Sequence, residues 1–396
     1  MKRLITLSAL CAAMLFPLTG LAQTDRIEQV LKAIESNNKE LQANRQLIIS
    51  QKLEARAGNN LPDPTLSYAH LWNSKDKNET TGELIISQSF DFPSLYATRG
   101  RLNRLKATAY DSAGDLLRQE KLLQAKELCL DIIMLRQQKQ LLTERLRNAE
   151  ELAKLYAKRL ETGDANVLET NKINLELLNA KTEASLNTTA LRNKLQELTA
   201  RNGNLPIPFE ESSFPAIVFP ANYEHLQAEV VSADRTLQTL SGESLVARKQ
   251  LSVNRSQWLP RLELGYRRDT DTGLRFNGIV VGVSFPIFDN RHKVKMAKAQ
   301  LLSADLRRED AATRVESELS QLYREAQSLH LAMEEYQSTF HSQQSLALLK
   351  KALNGGQISM IEYFVEVSVV YQSRQNYLQL ENQYQKAMAR IYKGRL

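Results

Sequence analysis

The chain contains little cysteine, glycine or proline for its length. Of its 396 residues, only 2 are cysteine, 15 are glycine and 10 are proline. Cys11 lies in an apolar N-terminal stretch, which leaves Cys129 as the only thiol further along, and a lone thiol excludes an internal disulfide. There is no proline between Pro93 and Pro206, and none after Pro286. Since proline breaks helix interiors, both proline-free stretches can hold long helices.

Long apolar runs are also missing after the N-terminus, and the mean hydropathy of −0.40 excludes a bundle of membrane-spanning helices. The exception extends from Leu4 to about Leu18, follows two basic residues and ends at a small-residue site before Ala22. This pattern predicts a secretory signal peptide over residues 1–22. The alternative is an uncut membrane anchor, for which the run is short and interrupted by Pro17.

The net charge of +7 falls to +5 once Lys2 and Arg3 are removed with the signal. Without a basic block, this mild excess does not indicate a nucleic-acid partner. The chain has no Gly-rich phosphate loop, no Gly-x-Ser-x-Gly elbow and no His-Glu-x-x-His, and its 5 histidines lack the spacing of metal ligands. We therefore predict no catalytic residue, no cofactor, no metal site and no enzymatic activity.

The two halves of the chain carry the same landmarks in the same order. Leu-Pro at 61–62 recurs at 259–260, Ser-Phe at 89–90 recurs at 284–285, and the turn at Gly163 recurs at Gly356. The offsets are 198, 195 and 193 residues, which indicates an internal duplication. We predict repeat 1 over 23–202, a connector over 203–221 and repeat 2 over 222–396. Each repeat is expected to contain a helix of about 30 residues, two strands and a long helical hairpin, with hairpin tips near 163 and 356.

Four segments alternate with a period of two residues, which predicts strands at about 64–73, 83–92, 259–269 and 276–288. Each places apolar side chains on one face and polar or small side chains on the other. The predicted lipid-facing residues are Leu84, Ile86, Phe90, Ile279, Val281, Val283 and Phe285.

Four strands are too few to close a barrel, because bacterial barrels begin at roughly eight and an open edge leaves backbone groups unpaired in lipid. Two alternatives follow: soluble hairpins packed on a helical bundle, or a barrel shared between chains. Three copies would supply twelve strands, and the signal peptide and strand lengths favour this barrel. The predicted helix over 94–160 would be about 100 Å long, and its apolar residues at helical spacing indicate coiled-coil packing.

Three motifs, SFPIFDNRHKVKMAKAQ, RLETGDANVLETNK and ALNGGQISMIEYFV, together with the repeat, resemble the TolC family of outer-membrane efflux proteins. The resemblance implies a mainly α-helical homotrimer with a twelve-stranded transmembrane β-barrel, four strands per chain, on a coiled-coil periplasmic tunnel. It implies a passive channel in the outer membrane, surrounded by lipid and joined to an inner-membrane pump through a periplasmic adaptor. The alternative is a non-conducting periplasmic scaffold or adaptor protein. The sequence does not indicate the exported substrate.

The remaining predictions concern helix caps, pore-entrance residues and adaptor contacts at the two hairpin tips. Asn166 and Ser359 are each followed three residues later by glutamate, Glu169 and Glu362, which predicts two capping boxes. The resemblance implies that these glutamates form a carboxylate ring at the pore entrance, with Glu362 the stronger candidate; the alternative is that both only cap helices. It also implies that the adaptor contacts Gly163, Asp164, Ala165, Gly356, Gln357 and Ile358.

Overall fold

The computed structural model describes residues 26–75, 79–271, 274–342 and 345–396, so the predicted signal peptide lies outside the described residues. The described residues form, in chain order, α1 (Arg26–Asn37), α2 (Lys39–Ala57), β1 (Thr65–Trp72), β2 (Thr80–Phe90), α3 (Pro93–Glu161), α4 (Val167–Arg201), α5 (Tyr223–Ala233), α6 (Arg235–Ser256), β3 (Arg261–Asp271), β4 (Leu274–Ser284), α7 (Lys293–Ser342), α8 (Ser345–Asn354) and α9 (Met360–Ile391). A short 3-10 turn, Lys393–Arg395, follows α9.

The first helix of each half is broken, although the sequence predicted one continuous helix in each place. Asn38 separates α1 from α2, and Asp234 separates α5 from α6. Both residues have extended backbone, and their side chains accept the backbone N–H of Leu41 or Leu237 at 3.0 Å. A side chain that caps a new helix start stabilises the break, because it satisfies a backbone donor that would otherwise lack a partner.

The longest helix, α3, has 69 residues and is therefore about 100 Å long. It packs against α2 and α6 along the part nearer the strands, and against α4 and α9 along the rest. The second long helix, α7, packs against α6 and α9. The helices thus form two long hairpins side by side, as the coiled-coil pattern predicted.

Three large apolar clusters lie along these helices, and a small fourth one, of Leu95, Leu102 and Val253, lies where α3 and α6 meet the strands. The largest joins α1 and the middle of α3 to the connector residue Phe209, and it includes Cys129, which is fully buried. A second joins α5 to α7 and the end of α9. The third, which we call the tip cluster, lies near the hairpin tips and contains Leu141, Leu152, Tyr156, Ile173, Met360, Tyr363, Val367 and Tyr371. The core is therefore distributed along the helices.

Asp131 on α3 is a polar link between three helices. Its carboxylate lies 2.5 Å from the Lys386 ammonium on α9 and 3.4 Å from that of Lys194 on α4, and it accepts a hydrogen bond from the Asn382 amide at 3.0 Å. Burial raises the pKa of Asp131, but the hydrogen bonds from Lys386 and Asn382 outweigh this effect and place the pKa below its usual range.

The strands form one sheet in the order β1-β2-β3-β4, with every neighbouring pair antiparallel. The central pair joins the two halves of the chain. Three predicted strand ranges were displaced. β2 runs from Thr80 to Phe90 instead of 83–92, since Thr81 pairs with Asp271. β3 runs from Arg261 to Asp271 instead of 259–269, and β4 runs from Leu274 to Ser284 instead of 276–288. Phe285, predicted within the last strand, follows it directly, just before Pro286.

None of the helices in the described ranges is both long and apolar enough to cross a membrane.

Candidate functional site: the strand sheet and the helical tips

The register of the sheet brings the apolar faces of all four strands to the same side, which we call the outer face. One row across the sheet joins Leu66, Ile86, Tyr266 and Ile279. In the rows nearer the helices, Phe90 and Leu262 align with Val283, and Gln88 and Leu264 align with Val281. Ile279 is 83 % exposed and Val281 is 69 % exposed in the single chain. The outer face is therefore a broad apolar surface that the chain itself does not cover.

Six of the seven predicted lipid-facing residues lie within the strands on this face: Leu84, Ile86, Phe90, Ile279, Val281 and Val283.

The opposite face, which we call the inner face, is charged. Arg267 lies 3.2 Å from the Glu83 carboxylate and 3.0 Å from that of Asp269. Where the sheet meets the helices, the Asp91 carboxylate accepts a hydrogen bond from Arg99 at 2.6 Å and lies 3.1 Å from the Arg261 guanidinium. A sheet with one exposed apolar face and one ion-paired face suits a boundary between lipid and water.

Both edge strands, β1 and β4, lack a second neighbour within the described chain. Three antiparallel steps separate them, so they run in opposite directions. The β4 edge of one copy can therefore pair antiparallel with the β1 edge of the next, and the sheet can continue around a ring. A closed ring leaves no unpaired edge in lipid.

Each helical hairpin turns through a glycine in the left-handed region. Gly163 has φ 79° and Gly356 has φ 69°. In the first turn the Asp164 N–H donates to the Arg159 carbonyl at 2.8 Å, and in the second the Gln357 N–H donates to the Ala352 carbonyl at 2.9 Å. This is the Schellman arrangement, which requires a left-handed residue and favours glycine. The two tips therefore have the same turn conformation.

Both predicted capping boxes are present at these tips. The Glu169 carboxylate accepts the Asn166 N–H at 3.2 Å, and the Glu362 carboxylate accepts the Ser359 N–H at 2.8 Å. The hydrogen bonds from the Ser359 backbone and hydroxyl hold the pKa of Glu362 below its usual range. Glu362 is exposed and Glu169 is partly exposed, so capping leaves both carboxylates in contact with solvent.

The predicted adaptor-contact residues are not equally accessible. Gly163, Asp164, Gly356 and Gln357 are exposed. Ala165 and Ile358 are only partly exposed, since both pack against the tip cluster.

An apolar stripe next to the second tip was missed by the sequence reasoning. Ile361, Val365 and Val369 are all about half exposed, and they follow one another at four-residue spacing on α9. That spacing places them on one face of the helix. A helical-periodicity search confined to exposed positions could have found this stripe.

The sequence patterns also did not predict a polar cluster between α3, α4 and α9 near the tips. The Arg145 guanidinium on α3 donates to Glu176 at 2.8 Å and to Glu183 at 2.9 Å, both on α4, and it lies over the Tyr371 ring of α9. The Tyr371 hydroxyl accepts a hydrogen bond from the Asn148 amide at 2.8 Å. Because these partners are 31 to 226 residues apart in sequence, short motifs do not reveal them.

Within the described ranges, no group of three or more His, Cys, Asp or Glu side chains is arranged to hold a metal ion.

Comparison with known proteins gives a family match for part of the second half of the chain and a fold for the whole chain. Residues 226–394 match the family model of outer membrane efflux proteins. No curated protein matches the chain. Among solved structures, the transmembrane channel protein CusC is 16 % identical over 93 % of this chain and 91 % of its own, with a TM-score of 0.78.

Two further channels have the same fold. The Campylobacter jejuni outer membrane channel CmeC is 12 % identical over 93 % of this chain and 85 % of its own, with a TM-score of 0.78. The Neisseria gonorrhoeae outer membrane channel MtrE, in its open state, is 14 % identical over 93 % and 88 %, with a TM-score of 0.74. The predicted fold class is thus confirmed. Residues 226–394, in the second half of the chain, thus match the outer membrane efflux protein family, and the chain as a whole has the TolC-type fold.

Proposed function

We propose that three copies of this chain form a passive conduit through the outer membrane, which receives substrates from an inner-membrane pump through a periplasmic adaptor. The observation that carries the proposal is the sheet: four strands, two open edges of opposite direction, one exposed apolar face and one ion-paired face. Three such sheets give twelve strands, which is within the range of closed membrane barrels.

The helices provide the second part of the conduit. The 69-residue helix α3 runs from the sheet to the first tip, so the tips lie about 100 Å from the strands. We propose that the repeats over 23–202 and 222–396 each contribute one tip per chain, which places six tips around the inner opening of a trimer.

We propose that the exposed residues Gly163, Asp164, Gly356 and Gln357 contact the adaptor, whereas Ala165 and Ile358 support these turns from below. Glu362 is proposed to line the entrance, and Glu169 is the second candidate for the same role. Both glutamates already cap helices, so a ring of carboxylates would be an additional role of groups that are held in place by their caps.

Two measurements test the function. The full chain is expressed with its N-terminal segment, and the cell envelope is separated into inner and outer membranes. We expect a trimer in the outer membrane that migrates as one band on an unheated gel and as a 396-residue chain or its cleaved form after heating. Reconstitution into a planar bilayer should give long-lived conductance.

The same experiments address the periplasmic scaffold alternative, which family and fold disfavour. A protein that stays in the periplasm without detergent and gives no conductance would support the scaffold and contradict the conduit.

A further inference from the structure

The outer face of the sheet carries charge of only one sign. Among its described strand residues, the permanently charged side chains are Arg268 on β3 and Arg275 on β4, and both are positive. Neither guanidinium has an ion pair or hydrogen bond to any residue in the described ranges. The inner face, in contrast, pairs its arginines with carboxylates. An unpaired arginine on a lipid-facing surface needs an anionic partner or access to water.

The two arginines lie next to each other near the hairpin end of the sheet. Arg268 pairs with Asn277, and Arg275 is two residues from Asn277 on the same face. This diagonal relation separates the two backbones by roughly 7–8 Å. At that spacing, the guanidinium groups of Arg268 and Arg275 can both reach the same phosphate.

The position of these arginines along the barrel axis can be compared with the height of the apolar band of a membrane barrel. Arg275 is nine residues from Ser284, the end of β4 nearer the helices. At 3.3–3.4 Å per residue and a strand tilt near 40°, this is roughly 23 Å along the barrel axis. The apolar band of such barrels is about 25 Å tall. Arg275 therefore lies at the level of lipid headgroups. Arg268, which pairs with Asn277, lies roughly 5 Å deeper, and its long side chain can reach up to the same level. The hairpin end faces the exterior because the helices leave from the other end.

A cleft beside Arg268 supplies further hydrogen-bonding groups. It has a volume of about 460 Å³ and is lined by Tyr68, His70, Thr80, Arg268 and Thr270, among others. Gly82 forms part of its wall, and the Tyr68 ring leans over this position; a Cβ on Gly82 would lie 2.9 Å from the Tyr68 hydroxyl. Hydroxyls, an imidazole and a guanidinium around an open cleft suit a ligand with both phosphate and sugar hydroxyls.

We propose that Arg268 and Arg275 bind the phosphorylated glucosamine headgroup of the outer-leaflet glycolipid, with the cleft at Gly82 receiving part of the sugar. The arginines contact the phosphate, since guanidinium groups bind phosphate with paired hydrogen bonds. This inference rests on the proposed membrane barrel, because the site faces lipid only if the sheet spans the membrane.

Native mass spectrometry of the purified full-chain trimer tests the site. The probes are lipid A, its enzymatically dephosphorylated form and phosphatidylglycerol, each added at a range of molar ratios. The test variant carries Arg268→Gln with Arg275→Gln. The control variant carries Arg308→Gln with Arg314→Gln, which removes the same charge from α7. We expect lipid A to bind the natural chain and the control equally, and to bind the test variant more weakly by roughly tenfold for each arginine.

If the test variant does not assemble, the comparison of the three lipids on the natural trimer still tests the proposal. Weaker retention of dephosphorylated lipid A and of phosphatidylglycerol supports the site. Equal retention of all three probes by the natural trimer, or undiminished lipid A binding by an assembled test variant, overturns it. A trimer that conducts but does not retain lipid A contradicts this inference alone, whereas a chain that forms no trimer contradicts the proposed function as well.

Discussion

The strongest mutational prediction compares two neighbouring residues on β4. Ile279 lies on the outer face opposite Tyr266, and Val280 lies on the inner face opposite Gly265. Ile279 is five residues from Ser284, so it lies roughly 13 Å above the lower end of the sheet, near the middle of a band about 25 Å tall. We expect Ile279→Arg to destabilise the folded chain by about 2–4 kcal/mol, the cost of arginine at the membrane midplane.

Two matched variants provide the controls. Val280→Arg places the same side chain in the water-filled interior near Glu263, and we expect a change below about 1 kcal/mol. Val283→Arg stays on the outer face but lies roughly 3 Å above the lower end, where the expected cost is about 0–1 kcal/mol.

The assay is urea unfolding of trimers in phosphatidylcholine vesicles, followed by tryptophan fluorescence and by the folded band on an unheated gel. Since each trimer contains three copies, the midpoint should shift clearly for Ile279→Arg only. An equal or larger shift for Val280→Arg would refute the assignment of the outer face to lipid.

Three further predictions concern the helices. Glu362→Gln should keep the cap but lower the cation-over-anion permeability ratio in planar bilayers by roughly two- to fivefold, with a smaller effect for Glu169→Gln; unchanged selectivity in both would leave capping as their only role. Asp131→Asn should destabilise the chain by about 1–3 kcal/mol at pH 7, because Lys386 loses its partner. Folding lowers the pKa of Asp131, so the stability that its carboxylate contributes is present above its usual pKa and is lost as the pH falls through the folded-state pKa. In denaturant unfolding, the difference in unfolding free energy between the natural chain and the variant should therefore disappear in strong acid. A difference that persists there would contradict the ion pair. Asp234→Ala should cost about 1–2 kcal/mol in thermal unfolding, since α6 loses its cap, and a variant as stable as the natural chain would show that the break needs no cap.

The strand faces and the tips could be predicted because local sequence determines them. Alternation in β4 is visible from Ile279 to Val283, and a glycine followed by a capping box marks each tip. The strand ends were less accurate, because pairing extends them beyond their own pattern. Thr80 and Thr81 resemble a polar turn in sequence, yet they pair with Trp72 and Leu71 and continue β2.

The helix breaks and the links between helices could not be predicted from local patterns. Asn38 and Asp234 interrupt stretches that otherwise favour helix, and their role depends on what surrounds them. The Asn38 amide donates to the Arg201 carbonyl at 2.8 Å, and Asp234 lies 3.6 Å from Lys393. In the same way, Arg136 donates to the carbonyls of connector residues far along the chain. Such contacts follow from the packing of the helices.

Closure of the sheet between copies is the central proposal, and crosslinking across the seam between β1 and β4 measures it directly. In a Cys129→Ala background, one cysteine replaces Leu66 on β1 and a second replaces, in turn, Asn277, Ile279, Val281 or Val283 on β4. We expect oxidation of outer membranes to convert the chain to a covalent trimer, with the highest yield at the one β4 position that the register places opposite Leu66. Crosslinks that form only within single chains, or no trimer at any position, would contradict a shared barrel.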